Sequence, residues 1–310
     1  MHLVIKTGGA AAMPEWRALF AHAAPGLRVS GWDDADADQA DYALVWEPDP
    51  GRLAAMPNLR LIISSAAGVD HILADPLRPV HLPIVRMVPE QTSQTMAEFV
   101  LAAAMMVLRD FTAIAHAQAN RRWLPYPPVR GIAQTRVGIM GMGNMGRAAA
   151  ALLARVGFDV AGWSNRHTDL AGVASFAGPA QFDAFLHRTD VLVCLLPATD
   201  ATRGILNHRT LAQLPAGASL IHVGRGAHMV EADVLQMLDS GHLHRAVIDV
   251  FDVEPLPPDA PWWCHPAVTV TPHCAATATR ADRARHTAHL IACDQQGIAL
   301  PDRYDPQRGY

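Results

Sequence analysis

The sequence predicts a two-domain α/β protein whose larger domain carries a doubly wound parallel sheet. Three observations predict it. The chain has 310 residues, 50% of them hydrophobic, enough for two separate cores. Short apolar runs alternate with helical patterns along most of its length. One such run leads into Gly141-Met142-Gly143-Asn144-Met145-Gly146, a glycine-rich turn that opens an alanine-rich helix.

The elements follow in order. Residues 3–5, 42–46 and 59–64 read as strands, with helical or turn segments over 14–23 and 51–56. A helix is expected from about 96 to 110, where Thr95 and Glu98 have capping-box spacing. The run Arg121-Arg122-Trp123-Leu124-Pro125-Tyr126-Pro127-Pro128 breaks any helix and reads as an extended arm. From Thr135 the alternation is regular. Strands are expected over 137–140, 160–163, 191–196, 219–223, 246–250 and 268–271, with helices over 145–156, 180–187, 207–214 and 231–239. That order implies parallel strands joined by right-handed crossovers. A last helix over 277–296 lies beyond the final strand and can carry the chain back to the first domain. The domains are therefore expected at 1–95 with 280–310, and at 96–279.

Composition narrows the classes of function. With 25 basic and 29 acidic residues the net charge is −4, which gives no reason to propose nucleic acid or an anionic membrane. The nearly uncharged stretch from 96 to 108 is too short to span a bilayer and suits a buried helix. Cys194, Cys264, Cys274 and Cys293 show no CxxC spacing. They read as reduced thiols of a cytoplasmic protein, and no metal site is expected.

The glycine turn has its required strand–loop–helix context and marks a Rossmann-type dinucleotide site. Gly141 permits the tight turn, Gly143 lets a pyrophosphate approach the backbone, and Gly146 lets helix and strand pack closely. Asn144 and Met145 open the helix, whose N-terminal N–H groups and dipole favour the anion. An acidic residue at the end of the next strand would bind the ribose 2′-hydroxyl of NAD. The sequence there is Trp163-Ser164-Asn165-Arg166. Arg166 offers a bidentate donor to a 2′-phosphate, and Ser164 and Asn165 offer hydrogen bonds, so NADP(H) is expected in preference to NAD(H). A solvated loop arginine is the competing reading.

Three further strands of the same sheet end in Gly224-Arg225-Gly226, in Phe251-Asp252-Val253-Glu254-Pro255, and in Pro272-His273. Ligands of open α/β sheets bind outside the carboxyl ends of the strands. An arginine, a glutamate and a histidine thus converge where a nicotinamide would lie.

These motifs, with Asp249-Val250-Phe251, Thr271-Pro272-His273 and Ala67-Gly68-Val69-Asp70, resemble in order and spacing the D-isomer-specific 2-hydroxyacid dehydrogenase family. Ala43-Leu44-Val45-Trp46, Trp163-Ser164 with Arg166, Glu254-Pro255-Leu256-Pro257-Pro258 and the terminal Arg308-Gly309-Tyr310 are similar to its bacterial NADPH-dependent glyoxylate/hydroxypyruvate reductases. The resemblance implies that the first domain is a smaller, flavodoxin-like α/β substrate domain. It implies hydride transfer from NADPH to a small 2-oxo acid, with Arg225 holding the substrate carboxylate, His273 giving the proton and Glu254 pairing with His273. Backbone N–H groups of Ala67, Gly68 and Val69 would bind the carboxylate from the first domain, with Trp46 as a pocket wall. Pro197 and Asp249 would contact the cofactor, Asp249 at the nicotinamide carboxamide. A homodimer is implied, with Trp123 as a candidate contact, although Trp46 and Trp123 also read as packing residues. Three departures stand out: His222 where the family usually has Asn, Gly224 where it often has Ala, and Ala66 in place of the first Gly of the usual Gly-Ala-Gly-Val-Asp. An NAD-linked dehydrogenase of another 2-oxo acid, or a non-catalytic NADP(H)-sensing protein of the same fold, are the alternatives.

Overall fold

The computed structural model describes residues 1–125, 130–306 and 309. The Tyr126-Pro127-Pro128 end of the arm, and Arg308 and Tyr310, lie outside the described residues. The chain divides into two compact units, Met1–Gln91 with Ala278–Tyr310, and Thr92–Thr277.

The first unit runs β1 (His2–Lys6), α1 (Met13–Ala23), β2 (Arg28–Gly31), β3 (Tyr42–Val45), α2 (Arg52–Ala55), β4 (Leu61–Ser64), α3 (Asp70–Leu73) and β5 (Ile84–Val85). The second begins with α4 (Glu90–Leu108), most of which it holds, and α5 (Phe111–Ala119). It continues through β6 (Arg136–Met140), α6 (Asn144–Val156), β7 (Asp159–Ser164), β8 (Val173–Ala177), α7 (Phe182–His187) and β9 (Val191–Cys194). It closes with α8 (His208–Leu211), β10 (Ala218–His222), α9 (Glu231–Asp239), β11 (Leu243–Ile248) and β12 (Val268–Val270). The chain then returns to the first unit as α10 (Arg280–Gln296).

The first sheet has the order β2-β1-β3-β4-β5, every pair parallel, which is the flavodoxin-like order. Its strands alternate between two buried faces. Leu3, Ile5, Leu44, Leu61 and Ile63 pack against Trp16 and Phe20 of α1 and Leu290 and Ile291 of α10. Val4, Ala43, Val45 and Ile62 pack against Leu53 and Ile72. Burial on both faces is what a parallel sheet requires, because crossover helices cover both sides.

The second sheet has the order β12-β11-β10-β9-β6-β7-β8, again all parallel. It is the doubly wound Rossmann order extended by one strand. Val137, Ile139, Val191 and Val193 face α4 and α6, where Val100, Ala104, Ala149 and Leu153 meet them. Met140, Leu192, Leu220 and Ile248 face Phe185, Leu211, Val234 and Trp262. The strand order reverses between β6 and β9, and all carboxyl ends lie along one edge.

Several boundaries differ from the expected ones. The helix expected from 96 begins at Glu90, so Thr95 and Glu98 lie inside it and form no cap. Pro89 precedes it, and its polar first turns carry no apolar stripe until Met96, which hid them. Asp110 is held at φ 53 and separates α4 from α5, which was not expected. Three strands went unread: β2, β5 and β8. All three are sheet edges; β5 is only two residues long, and β2 and β8 are only partly buried, so their apolar runs are short or broken. Among the described residues, no single helix is long and apolar enough to cross a membrane.

Candidate active site

Each glycine of the turn has a separate physical reason. Gly141 has φ 100, a left-handed conformation that side chains rarely adopt, and a Cβ there would lie 2.6 Å from the Leu195 carbonyl oxygen. A Cβ on Gly146 would lie 1.9 Å from the Gly141 carbonyl oxygen, so helix α6 meets its own loop at backbone contact. Gly143 is different: a Cβ there meets no protein atom within 4 Å. That open face, at the N-cap of a 13-residue helix without a side-chain cap, is space for a ligand backbone contact. The residues therefore fit a dinucleotide pyrophosphate.

At the end of β7, the Ser164 hydroxyl donates to the Arg166 carbonyl at 2.6 Å. Ser164 thus shapes the loop, while Asn165 and Arg166 are exposed. The Arg166 guanidinium has no ion-pair partner among the described residues, and the loop holds no acid before Asp169. Pro197, in the loop after β9, presents a carbonyl that accepts from Thr202 Oγ1 at 2.7 Å and from His228 Nε2 at 3.0 Å.

The ends of β10, β11 and β12 bring Arg225, Glu254 and His273 into one cluster. His273 Nδ1 donates to Glu254 Oε2 at 2.6 Å, and Glu254 Oε1 accepts the Phe251 N–H at 2.8 Å. With Nδ1 engaged, His273 Nε2 is left for a substrate, and it has no partner among the described residues. Burial pushes the Glu254 carboxyl up. The hydrogen bonds from His273 and the Phe251 N–H, with the His273 and Arg225 charges, outweigh that and hold it below its ordinary range. Arg225 is half-buried in extended backbone, and its Nη1 donates to the Gly224 carbonyl at 2.7 Å. A Cβ on Gly226 would lie 2.1 Å from the Phe251 backbone, so only glycine lets the arginine and glutamate loops pack this closely.

Asp249 is 2% exposed and its carboxylate is already occupied. It accepts from Thr271 Oγ1 at 2.6 Å, Cys274 N–H at 2.9 Å and Ala275 N–H at 3.0 Å. Its own carbonyl accepts the His273 N–H at 2.9 Å. Together these bonds fix the loop that carries His273, whose φ of 51 is unusual for a non-glycine residue. Asp249, expected at the cofactor, also takes this role, which only the folded loop reveals.

In the first unit, the N–H groups of Ala67, Gly68 and Val69 donate to no described protein acceptor. Ser64 holds their loop, donating to the Gly68 carbonyl at 2.7 Å and accepting the Ala66 N–H at 3.1 Å. Trp46 lies against His71 with ring centroids 4.4 Å apart, tilted by 38°. His71 Nδ1 in turn accepts the Glu47 N–H at 3.0 Å, and its Nε2 reaches Ser64 Oγ at 3.0 Å. His71 ties the tryptophan turn to the N–H cluster, and no pattern in the sequence marked it. Trp123 is 94% exposed.

Comparison with known proteins places this geometry in context. Residues 101–275 match the family described as D-isomer specific 2-hydroxyacid dehydrogenase, NAD binding domain. A D-isomer specific 2-hydroxyacid dehydrogenase from Xanthobacter autotrophicus Py2, solved with NADPH and MES, is 39% identical over 100% of this chain and 99% of its own, with a TM-score of 0.92. An NADPH-dependent glyoxylate/hydroxypyruvate reductase from Sinorhizobium meliloti, solved with NADP and sulfate, is 38% identical with the same coverage and TM-score. A probable 2-hydroxyacid dehydrogenase from Rhizobium etli CFN 42, solved with NADP, HEPES and L(+)-tartaric acid, is 33% identical over 100% of this chain and 99% of its own, with a TM-score of 0.88.

Proposed function

Because the chain belongs to the D-isomer specific 2-hydroxyacid dehydrogenase family, we propose that it reduces a small 2-oxo acid, glyoxylate or hydroxypyruvate, to glycolate or D-glycerate with NADPH. The observation that carries the reading is the Glu254–His273 pair, 2.6 Å apart and beside Arg225 at the carboxyl edge of a dinucleotide-type sheet. When bound, the reduced nicotinamide supplies the hydride that reaches C2 of the substrate. Arg225 holds the substrate carboxylate and polarises the keto oxygen with a permanent charge. His273 gives the Nε2 proton to that oxygen as C2 accepts the hydride, which leaves the hydroxyl and a neutral imidazole. Glu254 fixes the ring through Nδ1. The unengaged N–H groups of Ala67, Gly68 and Val69 suit a carboxylate, and Trp46 suits an apolar wall.

The preference for NADPH rests on the exposed Arg166 and the missing acid at the end of β7. It is also the cofactor in the names or contents of the Sinorhizobium and Xanthobacter structures. Four unpaired cysteines suit the cytoplasm. The exposed Trp123 suits a homodimer contact. A sensing protein would have no use for a poised proton donor, so the free Nε2 of His273 favours an enzyme over the non-catalytic alternative.

The pH dependence of NADPH-linked glyoxylate reduction tests the reading. Glu254 is depressed in the folded protein, so its contribution is full above the ordinary carboxylate range and fades only as pH falls through the lower, folded value. The rate should therefore hold across mildly acid pH. It should fall at alkaline pH, because a general acid acts only while it holds its proton. A kcat/KM that is flat, or rises, through the alkaline limb argues against a histidine acid.

A further inference from the structure

The geometry points to His222 and His228 as positioning residues that hold the Arg225 backbone from both sides. Both rings are fully buried, with centroids 5.8 Å apart at a 63° interplanar angle. His222 Nε2 lies 2.9 Å from the Arg225 carbonyl oxygen, and a carbonyl only accepts, so Nε2 carries the hydrogen. His228 Nδ1 lies 3.0 Å from the Arg225 nitrogen, which donates, so Nδ1 is bare and Nε2 carries the hydrogen. That Nε2–H donates to the Pro197 carbonyl at 3.0 Å. One ring thus fixes the carbonyl of Arg225, the other its N–H, and the second ring links Arg225 to the loop after β9.

The rest of the segment fits the two rings. A Cβ on Gly224 would lie 2.8 Å from His228 Nδ1, so the glycine at this position makes room for the ring that holds Arg225. Among the described residues His222 has no second hydrogen-bond partner, and its Nδ1 is buried without one. Burial, with the Arg225 charge also opposing protonation, pushes His222 down to about 3, so it stays neutral and its Nε2–H remains a donor at all working pH. The cluster with Cys194 has the shape of a three-ligand metal site, with donor atoms within 4.8 Å of one another. Its chemistry opposes that reading. His228 spends both ring nitrogens on protein partners, and burial pushes the Cys194 thiol up to about 12, far from the thiolate a metal needs.

The consequence concerns substrate rather than cofactor. The inference rests on the reduction reading only for the task given to Arg225. His222→Leu removes the donor and should raise KM for glyoxylate about tenfold, the size of a lost hydrogen bond with its displaced charge, with little change in kcat. His222→Asn returns an N–H donor at that position and should restore most of the loss. Oxalate, a dicarboxylate that resembles a 2-oxo acid, gives a second readout by calorimetry on the NADP⁺-saturated protein. Its Kd should follow the same order, with wild type and His222→Asn tight and His222→Leu weak. A glyoxylate KM and an oxalate Kd that stay at wild-type values in His222→Leu overturn the proposal, whatever happens to Tm. If the wild type reduces no 2-oxo acid yet oxalate affinity still follows the donor at 222, the reduction reading falls and the positioning role stands. A wild type that neither turns over 2-oxo acids nor binds oxalate overturns both.

Discussion

Replacing His273 with Ala is expected to lower kcat/KM for 2-oxo acid reduction about 10²- to 10⁴-fold, the usual worth of a positioned general acid. The loss should fall mainly on kcat, because the proton is needed as charge develops on the keto oxygen and contributes little to ground-state binding. Dinucleotide affinity should hardly change, since the ring contacts Glu254 and no element of the glycine turn. The loop should survive, because Asp249 holds it through the Thr271 hydroxyl and the Cys274 and Ala275 N–H groups. Alanine at a φ of 51 adds a modest strain of its own, readable as a small fall in Tm. Steady-state kinetics with a parallel dinucleotide titration check this. A variant that keeps the wild-type rate rules out His273 as the acid.

The glycine turn gives the second large effect, as a contrast between two alanines. Gly146→Ala drives a Cβ to 1.9 Å from the Gly141 carbonyl oxygen, and backbone must shift to relieve it. Overpacking of this kind costs about 1–3 kcal/mol or more, so Tm should drop by several degrees and dinucleotide binding should fail with it. Gly143→Ala places its Cβ in open space at a φ of −74, which alanine adopts freely. Tm should stay at the wild-type value while dinucleotide affinity falls, because the new methyl group occupies the space a pyrophosphate needs. Thermal melts with and without NADPH separate the two. A Gly143→Ala protein that binds the dinucleotide normally would move the site away from this turn.

Both effects trace to residues legible in the sequence, and the reason is physical. Gly141, Gly143 and Gly146 sit where backbone geometry admits no other side chain or where a ligand needs the gap, so their spacing carries the message by itself. Arg225, Glu254 and His273 follow strands whose apolar runs are easy to read, and parallel topology then forces their ends to one edge. The central strands of both sheets are buried on two faces and announce themselves, whereas β2, β5 and β8, at the edges, do not.

Other parts were hidden because they depend on contacts distant in sequence. Asp249 reads through the resemblance as a cofactor contact, and its hold on the His273 loop shows only when the fold brings the three donors of 271–275 onto its carboxylate. His71 carries no mark in the sequence, and only the fold sets its ring against Trp46 and its Nε2 on Ser64. His222 was visible as a departure, but its meaning required the ring of His228 and the missing Cβ of Gly224. The first turns of α4 were hidden for a different reason, since their polar residues give no periodic apolar signal.

The most direct test is the initial rate of NADPH and NADH oxidation with glyoxylate, hydroxypyruvate, pyruvate and branched 2-oxo acids, for the wild type and Arg166→Ala. The expected result is reduction of glyoxylate and hydroxypyruvate with a kcat/KM that favours NADPH, and a preference that collapses in Arg166→Ala because the guanidinium for the 2′-phosphate is gone. No oxidation of either dinucleotide with any 2-oxo acid, or a wild type that prefers NADH, would contradict it.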